Sequence, residues 1–205
     1  MNKKFDSDDD VKNFRYIVAQ WISHFLNPIV IAFFILLWRA WSIPIANLDF
    51  IIFLVAYVLV PIGSVLFMIF TNRINSIYPK NRKQREYLLI IGLTTYSVGW
   101  LIAFTLSIDN FLLMLASVYV LATIAVVCIN RFWRISIHCI GVSGAATLLI
   151  DEVGEIGIYL GLLSMIITAW ARLYLNAHTF SQVLAGLLLG ITIGFIAILN
   201  IVSEV

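Results

Sequence analysis

Charge is scarce in this chain. Asp, Glu, Lys and Arg together make up 12% of its 205 residues, about half the share found in soluble domains. That scarcity excludes an ordinary water-soluble globule, whose surface needs many more ionised groups. Cysteine is nearly absent as well. Cys128 and Cys139 lack the spacing of a metal site or a disulfide framework and read as buried thiols. The apolar runs are continuous and not alternating, which excludes a strand-built membrane barrel. Nothing in the composition points to nucleic acid.

What is present is long uncharged sequence, and 62% of the residues are hydrophobic. The stretches between charged residues are 16–38, 50–72, 87–108, 110–130, 135–150, 156–171 and 173–203. Several match the roughly 20 apolar residues that a helix needs to cross a bilayer. The expected fold is all-α, a polytopic transmembrane bundle of six or seven spans. The two shortest runs flank Asp151-Glu152-Val153-Gly154-Glu155, which reads as a tight acidic turn, and they form either two short spans or a re-entrant pair. The charged first fifteen residues and the long first apolar run do not read as a cleaved secretory signal. Residues 1–26 read as a charged N-terminus and an interfacial helix, with the chain turning inward at Asn27-Pro28. Residues 27–205 read as one membrane domain.

Threading the runs as antiparallel helices sorts the charges by face. The N-terminus and the loops near 73–86, 131–138 and 172–178 share one face, which receives 12 of the 13 Lys and Arg residues. The opposite face receives Arg39 and the acids Asp49, Asp109, Asp151, Glu152, Glu155 and Glu204. One reading is the positive-inside rule, with the first face cytoplasmic. The other is that some of these cations form an anion site.

Three clusters on the basic face carry the chemistry. The first is Lys80-Asn81-Arg82-Lys83-Gln84-Arg85, a juxtamembrane loop that either holds topology and lipid headgroups or binds a phosphate. The second is Arg134-Ile135-Ser136-Ile137-His138. Ser136 either caps a helix or offers, with the helix N-terminus, an anion seat beside His138. The third is Arg172 with His178 and Gln182. Arginine is a permanent cation with a planar fork suited to phosphate, and an imidazole can act as nucleophile or acid–base group. Gln182 either orients the His178 ring from four residues on or closes a capping box with Thr179.

These residues resemble the type-2 phosphatidic acid phosphatase superfamily of integral membrane lipid phosphatases. That family's third signature, Ser-Arg-x5-His-x3-Asp with Val-x-x-Gly after it, is echoed by Ala171-Arg172-x5-His178-x3-Gln182-Val183-x-x-Gly186. Its second signature, Pro-Ser-Gly-His, is echoed by Ile135-Ser136-Ile137-His138, and its first only loosely by residues 80–85. The signatures fall within 73–186. Gln182 stands where the family has aspartate, as in a divergent prokaryotic-type member. The resemblance implies a metal-independent, cofactor-free hydrolase of a glycerolipid or polyprenyl phosphate or diphosphate in a prokaryotic cell membrane. It implies His178 as the nucleophile that forms a phosphohistidine, Gln182 as its orienting partner and His138 as the acid for the leaving lipid oxygen. Arg172, Ser136, Lys80, Arg82 and Arg85 would hold the phosphate. The alternative is a non-catalytic protein that binds or transports an anionic lipid through the same basic pocket.

Overall fold

The computed structural model describes residues 7–74 and 81–202, and the regular structure among them is entirely helical. The elements are α1 (Ser7–Phe25), α2 (Pro28–Ser42), α3 (Asn47–Phe70), α4 (Arg82–Thr105), α5 (Asn110–Ile129), α6 (Ile137–Val153), α7 (Glu155–Tyr174) and α8 (Phe180–Val202). The protein is an all-α polytopic bundle. Most of each uncharged run lies in helix, with breaks at 26–27 and 175–179, because a backbone in lipid must satisfy its own hydrogen bonds.

The spans differ in kind. Helices α3, α4, α5, α7 and α8 are each long and apolar enough to cross a membrane alone. The first run is broken: α1 and α2 meet at 60°. Asn27 accepts a hydrogen bond from Ile29 N–H at 3.0 Å and Pro28 takes the first helical position, so the break is also a properly capped start. Helix α6 has 17 residues, about 26 Å at 1.5 Å per residue. It is enclosed by its neighbours and packs chiefly on α8 and α7. The acidic turn closes on a single residue, Gly154, whose φ of +61° suits glycine. At 20 residues α7 is long and apolar enough to cross a membrane by itself. Its run looked short because Glu155 and Arg172, which bound the run, lie inside the helix.

Small residues bring α6 and α8 together. Gly186, Gly190 and Gly194 recur every four residues on α8 and face Ser136–Cys139, Ile140–Ser143 and Thr147 of the α6 side. A side chain at Gly190 would fall on Ser143 Oγ and the Ile140 carbonyl. This is the small-xxx-small geometry of close membrane helices. Gly190→Ala is therefore expected to lower stability by about 1–3 kcal/mol through overpacking. Gly63→Ala, with open space at that position, is expected to leave it unchanged or slightly raised. Thermal unfolding of both variants in detergent checks the contrast.

Helix α3 carries a π-turn at Val55–Leu59, immediately before Pro61. Proline has no N–H and crowds the carbonyl four residues back, and the wider turn relieves that clash. Tyr57 in that turn is fully buried, stacks on Tyr96 with ring centroids 5.4 Å apart, and donates to the Tyr96 carbonyl at 3.1 Å.

At the acidic end, Arg39 of α2 closes a polar cluster. Its Nε and one terminal nitrogen donate to the two Asp109 oxygens at 3.1 and 2.7 Å, and its other terminal nitrogen pairs with Glu152. Asp109 also caps α5 through Leu112 N–H, and Asp49 accepts from the Asp109 N–H at 3.1 Å. Three loops of the acidic face are thereby tied to the one cation assigned to it. Glu204 lies outside the described residues. Of the two thiols, Cys139 is buried, but Cys128 is exposed on the outer surface of α5. Its buried reading is corrected: a thiol facing lipid satisfies an apolar run as well as one facing the core.

Candidate functional site: a cationic cavity at one end of the bundle

Opposite the Arg39 cluster, the ends of α4, α5, α6 and α7 surround a cavity of about 230 Å³. Arg85, Asn130, Arg134, His138, Arg172 and His178 line it, and no carboxylate does so among the described residues. The three chain segments grouped on the basic face thus meet around one space. Below it a smaller apolar pocket of about 70 Å³ shares Pro28, Leu89, Tyr96, Val126 and Ile137 with the cavity wall.

His178 lies in the loop between α7 and α8, just before the first turn of α8. Its two sequence readings are both realised, by one atom. Gln182 Oε1 lies 3.2 Å from His178 Nδ1 and also accepts from Thr179 N–H at 3.1 Å, while the Gln182 N–H returns to Thr179 Oγ1 at 3.4 Å. A capping box therefore holds the side chain that orients the imidazole. An atom that accepts from a backbone N–H must be the amide oxygen, so Nδ1 carries the ring hydrogen. With that hydrogen on Nδ1 the neutral ring has its lone pair on Nε2, and the Arg134 carbonyl, which favours a second ring N–H, competes for that position. Burial first, and then the nearby Arg172 guanidinium, hold the His178 pKa down to about 4, with Arg134 adding in the same direction. The hydrogen bonds to Gln182 and to the Arg134 backbone oppose this shift without cancelling it. The ring is neutral at pH 7.

This makes a direct test. The His178 ring is expected to titrate near pH 4, so that at pH 5 it stays neutral where an ordinary imidazole, with its pKa of about 6.5, is charged. Histidine ¹³C shifts, assigned by difference against His178→Ala, report the midpoint. A midpoint near 6.5 contradicts the assignment.

Arg172 sits in the last turn of α7, nearly buried, and one of its terminal nitrogens donates to Ser23 Oγ of α1 at 3.2 Å. His138, in the first turn of α6, is 6% exposed. Ser136 lies deeper than the phosphate role requires. It is fully buried, its hydroxyl caps α6 by accepting from Cys139 N–H at 3.5 Å, and it does not line the cavity. Its backbone N–H reaches the Gln182 carbonyl at 3.4 Å, which ties the second cluster to the third. Gly186 permits this approach, since a side chain there would meet the Ser136 carbonyl.

The basic loop divides. Arg85 lines the cavity, whereas Arg82 is exposed and pairs with Glu86 one turn on at 2.9 Å. Arg82, three residues along the helix from Arg85, does not line the cavity and pairs instead with its i, i+4 neighbour. Lys80 lies outside the described residues.

Two cavity residues escaped the sequence reading. Asn130, at the end of α5, has a buried Nδ2 with no hydrogen-bond partner among the described residues, and Arg85 Nε is in the same condition. Buried donors without a protein partner are rare and fit ordered water or a bound anion. Nothing in the sequence around Asn130 marks it apart from a loop asparagine. Tyr96, the other, looked like one more aromatic in an apolar helix. The arrangement as a whole offers donors and positive charge to an anion, beside a neutral imidazole with its lone pair on Nε2. Comparison with protein-family models, with curated proteins and with solved structures finds no match to this chain.

Proposed function

We propose that this protein is a metal-independent phosphatase of a glycerolipid or polyprenyl phosphate or diphosphate, in the type-2 phosphatidic acid phosphatase superfamily and in a prokaryotic cell membrane. The observation that carries the reading is His178, held by Gln182, in a cavity lined by three arginines and, among the described residues, by no carboxylate.

The chemistry follows from those groups. His178 Nε2 attacks phosphorus as the bond to the lipid oxygen breaks, and His138 gives that oxygen its proton. Water then attacks the phosphohistidine, returns a proton to His138 and releases phosphate as the P–N bond breaks. The phosphate dianion itself supplies the negative charge that a protonated His138 needs beside Arg172. Arg172, Arg85 and Arg134 stabilise charge on the phosphoryl oxygens, with Asn130 as a neutral donor; positioning and electrostatics do most of the work in phosphoryl transfer. The apolar pocket beneath the cavity suits the start of the lipid chain.

A panel of glycerolipid and polyprenyl mono- and diphosphates, offered to the purified chain in nanodiscs, tests this by phosphate release. Gln182 in place of a carboxylate favours one other reading, a carrier or binder of anionic lipid. Orthovanadate binding without phosphate release from any member of the panel would select it.

A further inference from the structure

Helix α1 stands outside the region that carries the phosphatase-like signatures, yet it touches the site twice. Ser23, near its C-terminal end, is 4% exposed. Its hydroxyl accepts from Arg172 at 3.2 Å, and its backbone carbonyl takes a hydrogen bond from His138. One residue thus holds the phosphate clamp and the acid group together. Its contact with Arg172 joins residues 149 apart in the chain.

The same helix is built for a lipid surface. Its inner side buries Ala19 and Ser23 against α7, while Phe14 (67%), Trp21 (59%) and Phe25 (55%) are exposed beside Tyr16 and Ile17. Charged residues crowd its N-terminal half and apolar and aromatic ones its C-terminal half. Aromatics of this kind settle at the headgroup boundary, and an amphipathic helix carrying them lies in the plane of the interface. The 60° break at Asn27-Pro28 turns α1 away from the crossing direction of α2 and brings its end over the cavity wall, which Asn27 and Pro28 also line.

We propose that α1 couples the bilayer surface to the phosphate site, with Ser23 as the positioning residue that aims Arg172 and His138 into the cavity. The lipid interface seats the aromatic side of α1, and that seating presents the Ser23 oxygens to the two site residues. If α1 lifts, Arg172 loses an acceptor and the angle at which it meets a phosphate. This inference rests on the cavity being a phosphate site, and its first readout is binding rather than turnover.

The test uses the full chain in phosphatidylcholine nanodiscs, with orthovanadate affinity measured calorimetrically. Ser23→Ala removes one buried acceptor and adds no bulk, so the variant should fold with its unfolding midpoint modestly lowered. Vanadate affinity should fall about tenfold, the scale of a lost hydrogen bond to a charged group. KM for any lipid phosphate that is turned over should rise in parallel, with kcat changing less. Trp21→Ser combined with Phe25→Ser, which changes two half-exposed rings that also line an apolar groove with α2 and α3, should weaken vanadate severalfold in the same discs. Unchanged vanadate affinity in either folded variant overturns the proposal. Should one variant fail to fold, the other decides alone. If affinity shifts as expected but the wild type releases phosphate from no lipid, the phosphatase reading falls and the coupling through α1 stands.

Discussion

Replacing His178 by alanine is expected to cut phosphate release at least about 10³-fold, because a covalent route cannot proceed without its nucleophile. The expectation is specific to chemistry. His178 lies in a loop and supplies no core packing, while Arg172, Arg85, Arg134 and Asn130 remain to bind the anion. Orthovanadate should therefore still bind the variant, less tightly by about tenfold at most. Wild-type protein quenched during turnover with a radiolabelled lipid phosphate should carry acid-labile, base-stable label, and the variant should carry none. Full turnover by His178→Ala would remove the phosphohistidine scheme outright.

The second large effect belongs to the opposite end of the molecule. Arg39→Met should destabilise the protein by about 3–5 kcal/mol, since it leaves Asp109 and Glu152 without their cation in a largely enclosed place. The side chains of Arg39, Asp109 and Glu152 are 10%, 15% and 23% exposed, so solvent screens the cluster only partly. Replacing all three charged residues together, as Arg39→Met with Asp109→Asn and Glu152→Gln, should recover most of that loss. An asparagine at 109 still caps α5, and of the cluster's acids only Asp49, which accepts from the backbone N–H at 109, keeps its charge. Denaturant unfolding in detergent distinguishes the cases. A single-variant loss below about 1 kcal/mol would class the cluster with surface ion pairs.

Much of the architecture was legible from the chain alone. The uncharged runs became helices, and simple alternation of connections grouped Arg85, Arg134, His138, Arg172 and His178 correctly at one end. The same alternation put Arg39 with Asp49, Asp109 and Glu152 at the other. Charge counting failed at the edges of runs. It stopped α6 and α7 too early, because Asp151 and Glu152 of α6 and Arg172 of α7 stay inside their helices, Glu152 paired with Arg39 and Arg172 with Ser23. The spacing of four among Gly186, Gly190 and Gly194 was present in the sequence as a signal for a close helix contact and went unread. Its partner helix, however, is not written anywhere in that spacing.

The fine roles at the site needed geometry. Ser136 and Arg82 have the right chemistry at the right place in the chain, but one is turned inward to cap α6 and the other outward to Glu86. Gln182 posed two alternatives, and the structure realises both through a single oxygen. Ser23 could not be read from the sequence at all, since its importance lies in a contact with a residue 149 positions away. What the sequence determined by itself was that this chain is a helical membrane protein with its cations on one face. Hydropathy and charge are local properties, and the bilayer sorts them by span. Which cations share a cavity, which serine caps and which one bonds an arginine were decided only by tertiary packing. There the approach of one helix to another is set by side chains far apart in the chain, through forces that act within a few ångströms.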